Sequence, residues 1–473
     1  MIDGLRSYPE MKPSGLAWLG DVPAHWDVRR IKTLLKEIDS RTKTGEERLL
    51  SLRMRQGLVD HIDAGGKLIP PESLVNFKIV EPGQVVMNRM RAAAGLFGVA
   101  GVRGLVSPDY AVFEPKPDAF SPYLLQAFRL PSLSAVFRAE SKGLGTGESG
   151  FLRLYTDRFG PIPVPYPPLG EQRLIVRFLD WHGAQTAKLI RAKKKIIALL
   201  NEQKQAIIHR AVTRGLDPNV KRKPSGVPWI DEVPEHWEVV TMRRVIRRAV
   251  DGPHHSPNYL DGGIPFLSAR NVRADRWLLD DVKFISEADY SEFCRRIKPE
   301  VGDVLYTKGD TTGVARVVDL QFRFQVWVHI AVLKVLNSKI ESKYLSTALN
   351  SARCYEQAQL LTRGATNQDL GLGRMKNILF GLPPLSEQKS ILAFLREASR
   401  KIDRVADAVK REVDLIQELR TRLISDVVTG KLDVRTFAAS LPETIEAESI
   451  DDVAEDDDPD QAIEDAESQE AAA

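Results

Sequence analysis

The chain has 473 residues, 43% hydrophobic and 28% charged, enough for two or three domains with buried cores. Its two cysteines, Cys294 and Cys354, exclude a disulfide-stapled secreted fold; with no leader and no apolar run of roughly 18 residues, a soluble cytoplasmic protein is expected. The net charge of +3 conceals two opposed segments: Glu443 to Glu470 holds fourteen acidic residues, and the remainder carries 67 basic against 50 acidic residues, a net of +17. A body that basic attracts polyanions, of which nucleic acid is the commonest. The C-terminal stretch 433–473 has no Lys or Arg after Arg435 and few bulky apolar side chains, and is expected to be a disordered acidic tail.

The first recognisable element, Lys12 to Asp27, reads KPSGLAWLGDVPAHWD, and Lys223 to Glu238 repeats it as KPSGVPWIDEVPEHWE, with nine of sixteen positions identical. A mixed α/β insert follows each copy. In the first, Gly83 to Met90 and Tyr110 to Pro115 read as strands, and SPYLLQAFRL from Ser121 as a helix. The second holds matching strands at Gly302 to Lys308 and Val326 to Leu336, and a matching helix, SKYLSTALN, from Ser342. A Pro-rich break then leads into PLGEQRLIVRFL from Pro168 or PLSEQKSILAFL from Pro384, where seven of twelve positions agree. Glu171 and Glu387 fall in the first turn of a long helical pattern, where a carboxylate complements the helix dipole.

In the second long helix, Leu395, Ala398, Ile402, Val405, Val409, Glu412, Ile416, Leu419 and Leu423 alternate three and four apart, the seam of a coiled coil. In the first helix, Ile175, Phe178, Leu189, Ala192, Ile196, Leu199 and Ala206 follow the same rule, interrupted at His182, Gln185 and Gln203. No second long helix lies within either repeat, so the two are expected to pair with each other, antiparallel. A glycine at each helix exit, Gly215 and Gly430, suits a C-cap. The repeat offset is 211 at the tryptophan motif and 216 at the Glu-Gln motif, so the frame is kept while the inserts differ.

Taken together, the W-x-x-x-V-P-x-H-W motifs at Trp18 and Trp229, the P-L-x-E-Q helix starts at Pro168 and Pro384, and the V-T-x-x-L-D exits at Val212 and Val428 resemble a type I restriction–modification specificity subunit. The resemblance covers nearly the whole chain except the acidic tail. It implies an α+β fold: two mixed α/β target-recognition domains separated by two long helices paired as an antiparallel coiled coil, with an internal pseudo-twofold repeat. The expected division is 1–167 for the first frame segment and recognition domain, 168–215 for the first spacer helix, 216–383 for the second frame segment and recognition domain, 384–432 for the second helix, and 433–473 for the tail. Each recognition domain would read one half of an asymmetric bipartite site in double-stranded DNA, and the helices would fix the spacing. Two modification subunits would dock on the helices and methylate adenine. Glu171, Gln172, Phe178, Glu387, Gln388 and Phe394 are the docking and spacer candidates. Restriction subunits, where present, would be further partners. The resemblance places S-adenosylmethionine on the modification subunits and ATP with magnesium on restriction subunits; this chain is expected to hold no cofactor or metal and no catalytic residue.

Base readers are sought among Arg, Lys, Asn and Gln on the insert loops, because these side chains address purine edges bidentately. The first insert offers Arg53, Arg55, Gln56, Arg89, Arg91 and Lys142; the second offers Arg270, Asn271, Lys308, Arg316, Arg363, Asn367 and Gln368. Most protein–DNA hydrogen bonds go to phosphate and sugar, so phosphate contact is the commoner expectation for any one of them. Trp18, Trp26, Trp229 and Trp237 lie in the repeated frame rather than the divergent inserts, and packing of each domain on the helices is expected of them. Two other readings compete. Asp118, Glu140 and Lys142 mimic a PD…ExK nuclease pattern, and the helices alone would suit a coiled-coil scaffold with no DNA role. The G-x-G-x-x-G at Gly145 neither follows a strand nor opens a helix in a βαβ unit, and His254-His255 lacks further ligands at metal spacing.

Overall fold

The computed structural model describes residues 5–54, 56–144, 151–227, 230–309, 311–363 and 369–442. Each insert is built on a four-stranded antiparallel sheet, and the strand order is the same in both. In the first insert the order is Leu35–Ile38, Ala111–Pro115, Val85–Met87, Phe97–Val99; in the second it is Ile246–Asp251, Ile330–Val335, Val304–Thr307, Ala315–Val317. The central strands are unbroken apolar runs because both faces of the sheet are covered. Val85, Met87, Ala111 and Phe113 face one hydrophobic cluster, while Val86 and Val112 face another. In the second insert Val304, Tyr306, Ala331 and Leu333 face one cluster, and Leu305, Ile330 and Val332 the other. The run expected as one strand from Val326 is two, Gln325–Val326 and Ile330–Val335. The second insert also adds a three-stranded sheet and the helix Glu287–Arg296, capped by Ser286, whose Oγ accepts from the Asp289 amide at 3.0 Å.

Each insert leaves and rejoins the frame at one place. Asp27–Arg30 pairs antiparallel with Pro163–Tyr166, and Glu238–Thr241 pairs with Leu379–Leu382. The long helices follow directly, Leu169–Arg214 with 46 residues and Leu385–Val428 with 44. Both stop at a left-handed glycine, Gly215 (φ 73°) and Gly430 (φ 78°). At Gly430 a Cβ would lie 2.3 Å from Pro23 Cδ, so packing as well as backbone demands glycine there.

The chain divides into two compact units, residues 1–193 with 411–473, and 194–410. These are not the consecutive segments expected from the sequence. Each unit takes the start of one long helix and the end of the other, and within each the two pieces run antiparallel. In the first unit Lys193 pairs with Glu412 and Gly183 lies beside Arg420; in the second Lys204 Nζ is 2.7 Å from Asp403 Oδ1. The first unit's core closes on Val427 and Val428 from the end of the second helix, and the second unit's on Ala211 and Val212 from the end of the first.

Ile175 and Phe178 are buried as the heptad reading expects, but farther along the first helix the phase of the seam differs. Thr186 and Ile190 are buried, Lys193, Ile197, Leu200 and Lys204 are half-buried, and Leu189, Ala192, Ile196, Leu199 and Ala206 are exposed. On the second helix Leu395 and Ile402 are buried as expected, but Val413 takes the inner place foreseen for Glu412, and Val405 and Leu419 are exposed. Both helices carry two adjacent apolar stripes, as the sequence KLIRAKKKIIALL shows, and periodicity does not select between them.

The tail begins later than expected. Asp433 donates its amide to the Arg6 carbonyl at 2.8 Å, and the short helix Arg435–Ala439 seats Phe437 against Phe178 and Trp181 at ring separations of 5.7 and 5.3 Å. Val434 and Ala438 are buried there, so these residues belong to the first unit's core. The acidic stretch from 443 on lies outside the described residues. Among the described residues no helix is long and apolar enough to cross a membrane.

Candidate nucleic-acid interface

What fixes each insert on its frame is the Glu-Gln pair at the helix start. The Tyr8 hydroxyl and Trp26 Nε1 donate to Glu171 Oε1 at 2.5 and 3.0 Å, and His25 Nε2 lies 2.8 Å from Oε2. Gln172 accepts from the Phe120 amide at 2.8 Å and donates to the carbonyls of Asp118 and Pro167, gripping the entrance of the insert's first helix. The second unit repeats the joint. Trp237 Nε1 donates to Glu387 at 3.1 Å with His236 Nε2 at 2.7 Å, and Gln388 holds the Glu341 amide and the carbonyls of Lys339 and Pro383. Glu171, Gln172, Gln388 and Phe178 are buried and engaged within this chain, while Phe394 is exposed. Trp26 and Trp237 are fully buried, Trp18 packs against the first core, and Trp229 lies outside the described residues.

The first unit's joint has two members without a repeated counterpart. Arg435 stacks over the Tyr8 ring at 4.9 Å and approaches Glu171 to 4.0 Å. Tyr8 moved forward by the offset of 211, and Arg435 moved back by 216, both fall on Asn219. The two ends of the chain thus meet where the second copy runs through without a break. Burial and the Glu171 carboxylate hold the Tyr8 hydroxyl well above the ordinary tyrosine range.

The candidate base readers separate by accessibility. Gln56 is exposed in the turn joining Leu50–Arg53 to Gly57–Asp60; Lys142, Arg270 and Arg363 are also exposed. Four others are spent on the fold. Asn271 is buried in a capping box with Ser268 and donates to the Leu278 carbonyl at 2.8 Å. Arg53 is buried and reaches the Ala64 carbonyl at 3.3 Å. Lys308 is buried between Asp369 at 2.7 Å and Asp251 at 3.5 Å. Arg316 lies 4.7 Å over the Trp277 ring, its pKa lowered by burial despite Asp319. Arg89 is intermediate, anchored by Glu37 at 2.8 Å and the Asp109 carbonyl at 3.1 Å, and Arg91 follows it in the same half-buried turn. Arg55, Asn367, Gln368 and the glycine-rich Gly145 to Gly150 lie outside the described residues. One basic residue was not foreseen: Arg153, which opposes Lys142 across a short hairpin and reaches Asp109 at 3.2 Å. A basic residue on each side of a glycine run was its only signal in the sequence.

The carboxylates of the nuclease pattern have separate partners. Asp118 pairs with Arg29 at 3.1 Å and Glu140 with Arg158 at 3.5 Å. His254 faces Asp251 and His255 faces Glu292, and the described residues contain no group of three His, Cys, Asp or Glu able to hold a metal ion.

The chain has clear relatives. A putative type I restriction enzyme MjaX specificity subunit of Methanocaldococcus jannaschii is 22% identical over 88% of this chain and 96% of its own. The EcoKI specificity subunit of Escherichia coli strain K12 is 20% identical over 91% of this chain and 94% of its own. A chain solved in work on complex assembly and conformational transition of the type I R-M system shares the fold, with a TM-score of 0.61 at 17% identity, covering 86% of this chain and 98% of that one. The family described as the type I restriction modification DNA specificity domain matches twice, over residues 72–199 and 234–413, once in each repeat. With both inserts matched on a doubled frame, this chain belongs to that family of DNA specificity subunits.

Proposed function

We propose that this specificity subunit is noncatalytic and reads a bipartite site in double-stranded DNA, one half with each insert, while its long helices set the spacing and dock two modification subunits. The observation that carries the reading is the doubling itself: two sheets of identical strand order, each fastened by its own Glu-Gln joint, present different side chains. Exposed Gln56 in one insert answers to exposed Arg270 in the other, so two unlike half-sites are expected rather than a palindrome.

The docking part of the proposal rests on the exposed helix stripes. Leu189 (47% exposed) and Leu415 (56%) sit in the first unit; Leu199 (53%) and Val405 (50%) sit in the second. The repeat offset of 216 relates Leu189 to Val405 and Leu199 to Leu415, so the same apolar patch is built twice. Duplicated exposed leucines of this kind mark protein contacts, and two equivalent patches call for two copies of one partner. Methyl transfer from S-adenosylmethionine then belongs to those subunits, and ATP with magnesium to restriction subunits where they join. This chain supplies the address.

The test is to count modification subunits by native mass spectrometry. The unaltered chain should carry two, a Leu189→Glu/Leu415→Glu variant one, and a variant also carrying Leu199→Glu and Val405→Glu none. All four positions are exposed, so the fold should survive, as circular dichroism would check. Two modification subunits retained on the fourfold variant would contradict the docking reading.

A further inference from the structure

Near the end of each insert an antiparallel pairing sits at a corresponding place, a three-residue ladder in the first and a single bridge in the second, and the two are charged differently. In the first unit Lys142–Leu144 pairs with Phe151–Arg153, placing Lys142 directly opposite Arg153. In the second, Arg363 bridges to Asp369 across the corresponding position. The correspondence holds in the backbone. The Leu154 amide donates to the Arg89 carbonyl at 2.8 Å, and the Leu370 amide to the Lys308 carbonyl at 2.8 Å. Arg153 and Asp369 each precede those amides, 216 residues apart.

Like charges directly opposed across an antiparallel pair repel, and a hairpin tolerates them when an anion lies between. In the first unit, among the described residues, the anion within reach of Arg153 is Asp109, itself exposed, 3.2 Å away. The neighbourhood stays cationic. Arg89 is anchored beside it by Glu37 and the Asp109 carbonyl, Arg91 follows, and Lys78, buried nearby, donates to the Tyr110 carbonyl at 2.7 Å. Asp39, a further carboxylate among the described residues here, is held by Arg41 at 2.8 Å. In the second unit Arg363 stands opposite Asp369 in the backbone pairing, and the Asp369 carboxylate pairs with Lys308, which Asp251 approaches as well.

Resting on the DNA-binding reading above, we infer that Lys142 and Arg153 form a backbone-phosphate clamp in the first insert which the second insert lacks. A DNA phosphate takes the place that Asp109 half fills, and relieves the repulsion across the hairpin. The first insert then contributes the larger part of the salt-dependent affinity, and the second reads its half-site with a more nearly neutral hairpin.

The experiment measures binding of the full chain, with its modification subunits, to a 40-base-pair mixed-sequence duplex across a salt series. Neutralising one phosphate fewer lowers the slope of log K against log salt by about 0.9. Lys142→Ala and Arg153→Ala should each lower it by about that amount, equally for any duplex sequence, while Arg363→Ala leaves it unchanged. Asp109→Asn should strengthen binding by removing the competing carboxylate. Unchanged slopes for both first-insert variants, or an equal fall for Arg363→Ala, would overturn the clamp while leaving DNA recognition intact. A fall confined to one duplex sequence would also overturn it, by making these residues base readers. Absence of salt-dependent binding by the unaltered complex would instead sink the DNA-binding reading itself. A thermal melt of each variant separates a missing phosphate partner from a damaged fold.

Discussion

Glu171 gathers Tyr8, His25, Trp26 and Arg435 from stretches that lie far apart in the chain, whereas among the described residues Glu387 gathers His236 and Trp237. Removing a buried acceptor costs about 1–3 kcal/mol for every buried donor it orphans. Glu171→Ala strands two such donors, the Tyr8 hydroxyl and Trp26 Nε1; Glu387→Ala strands one, Trp237 Nε1. Urea denaturation should therefore show the first substitution to be the more damaging, and Tyr8→Phe should narrow the gap. Equal losses would refute the accounting. A second residue gives a pH signature. Burial, and then Arg420, lower the pKa of His182 from 6.5. The unfolded chain takes up that proton first, so the stability from neutral His182 is complete above pH 6.5 and declines as pH falls through 6.5 towards the lowered value. His182→Gln should flatten a plot of melting temperature against pH below 6.5; an unaltered plot would count against it. At this scale the sequence was only half legible. Both repeats pair an H-W with an E-Q, but the sequence separation of 145 from Trp26 to Glu171 hides that one binds the other. Asn271 looked like a base reader because a capping box and a purine edge ask for the same amide.

The helices show where periodicity stops being informative. Existence, length and glycine stops were readable, because some forty residues of three-four spacing admit no strand. The buried face was not, since Leu189 and Ile190 belong to adjacent stripes of equal hydrophobicity. The partner helix selects the Ile190 stripe and leaves the Leu189 stripe outside. Ile190→Ala should cost about 2–5 kcal/mol as a buried truncation, whereas Leu189→Ala should stay within about 0.5 kcal/mol. Melting of the two variants side by side decides the matter: the heptad reading inverts their order. Strands were legible to within a few residues, since central strands facing two cores read as plain apolar runs.

On the scale of the whole molecule, the repeat is closed rather than merely tandem. Arg6 and Asp433, bonded to each other, both map onto Asp217 by the two offsets, so the ends of the chain complete in the first unit what continuous chain completes in the second. A compact unit that takes the far end of the other helix has no single span in the sequence. Closure also defines what is exchangeable. An insert is everything between the paired strands Asp27–Arg30 and Pro163–Tyr166, including Leu35–Ile38, which belongs to its sheet. The most direct measurement is therefore to replace residues 31–162 with the insert of a relative and map, at single-base resolution, the DNA methylation made with the proposed modification subunits. One half of the recognised site should change while the other half and the spacing stay as they were; a change in both halves would contradict the account.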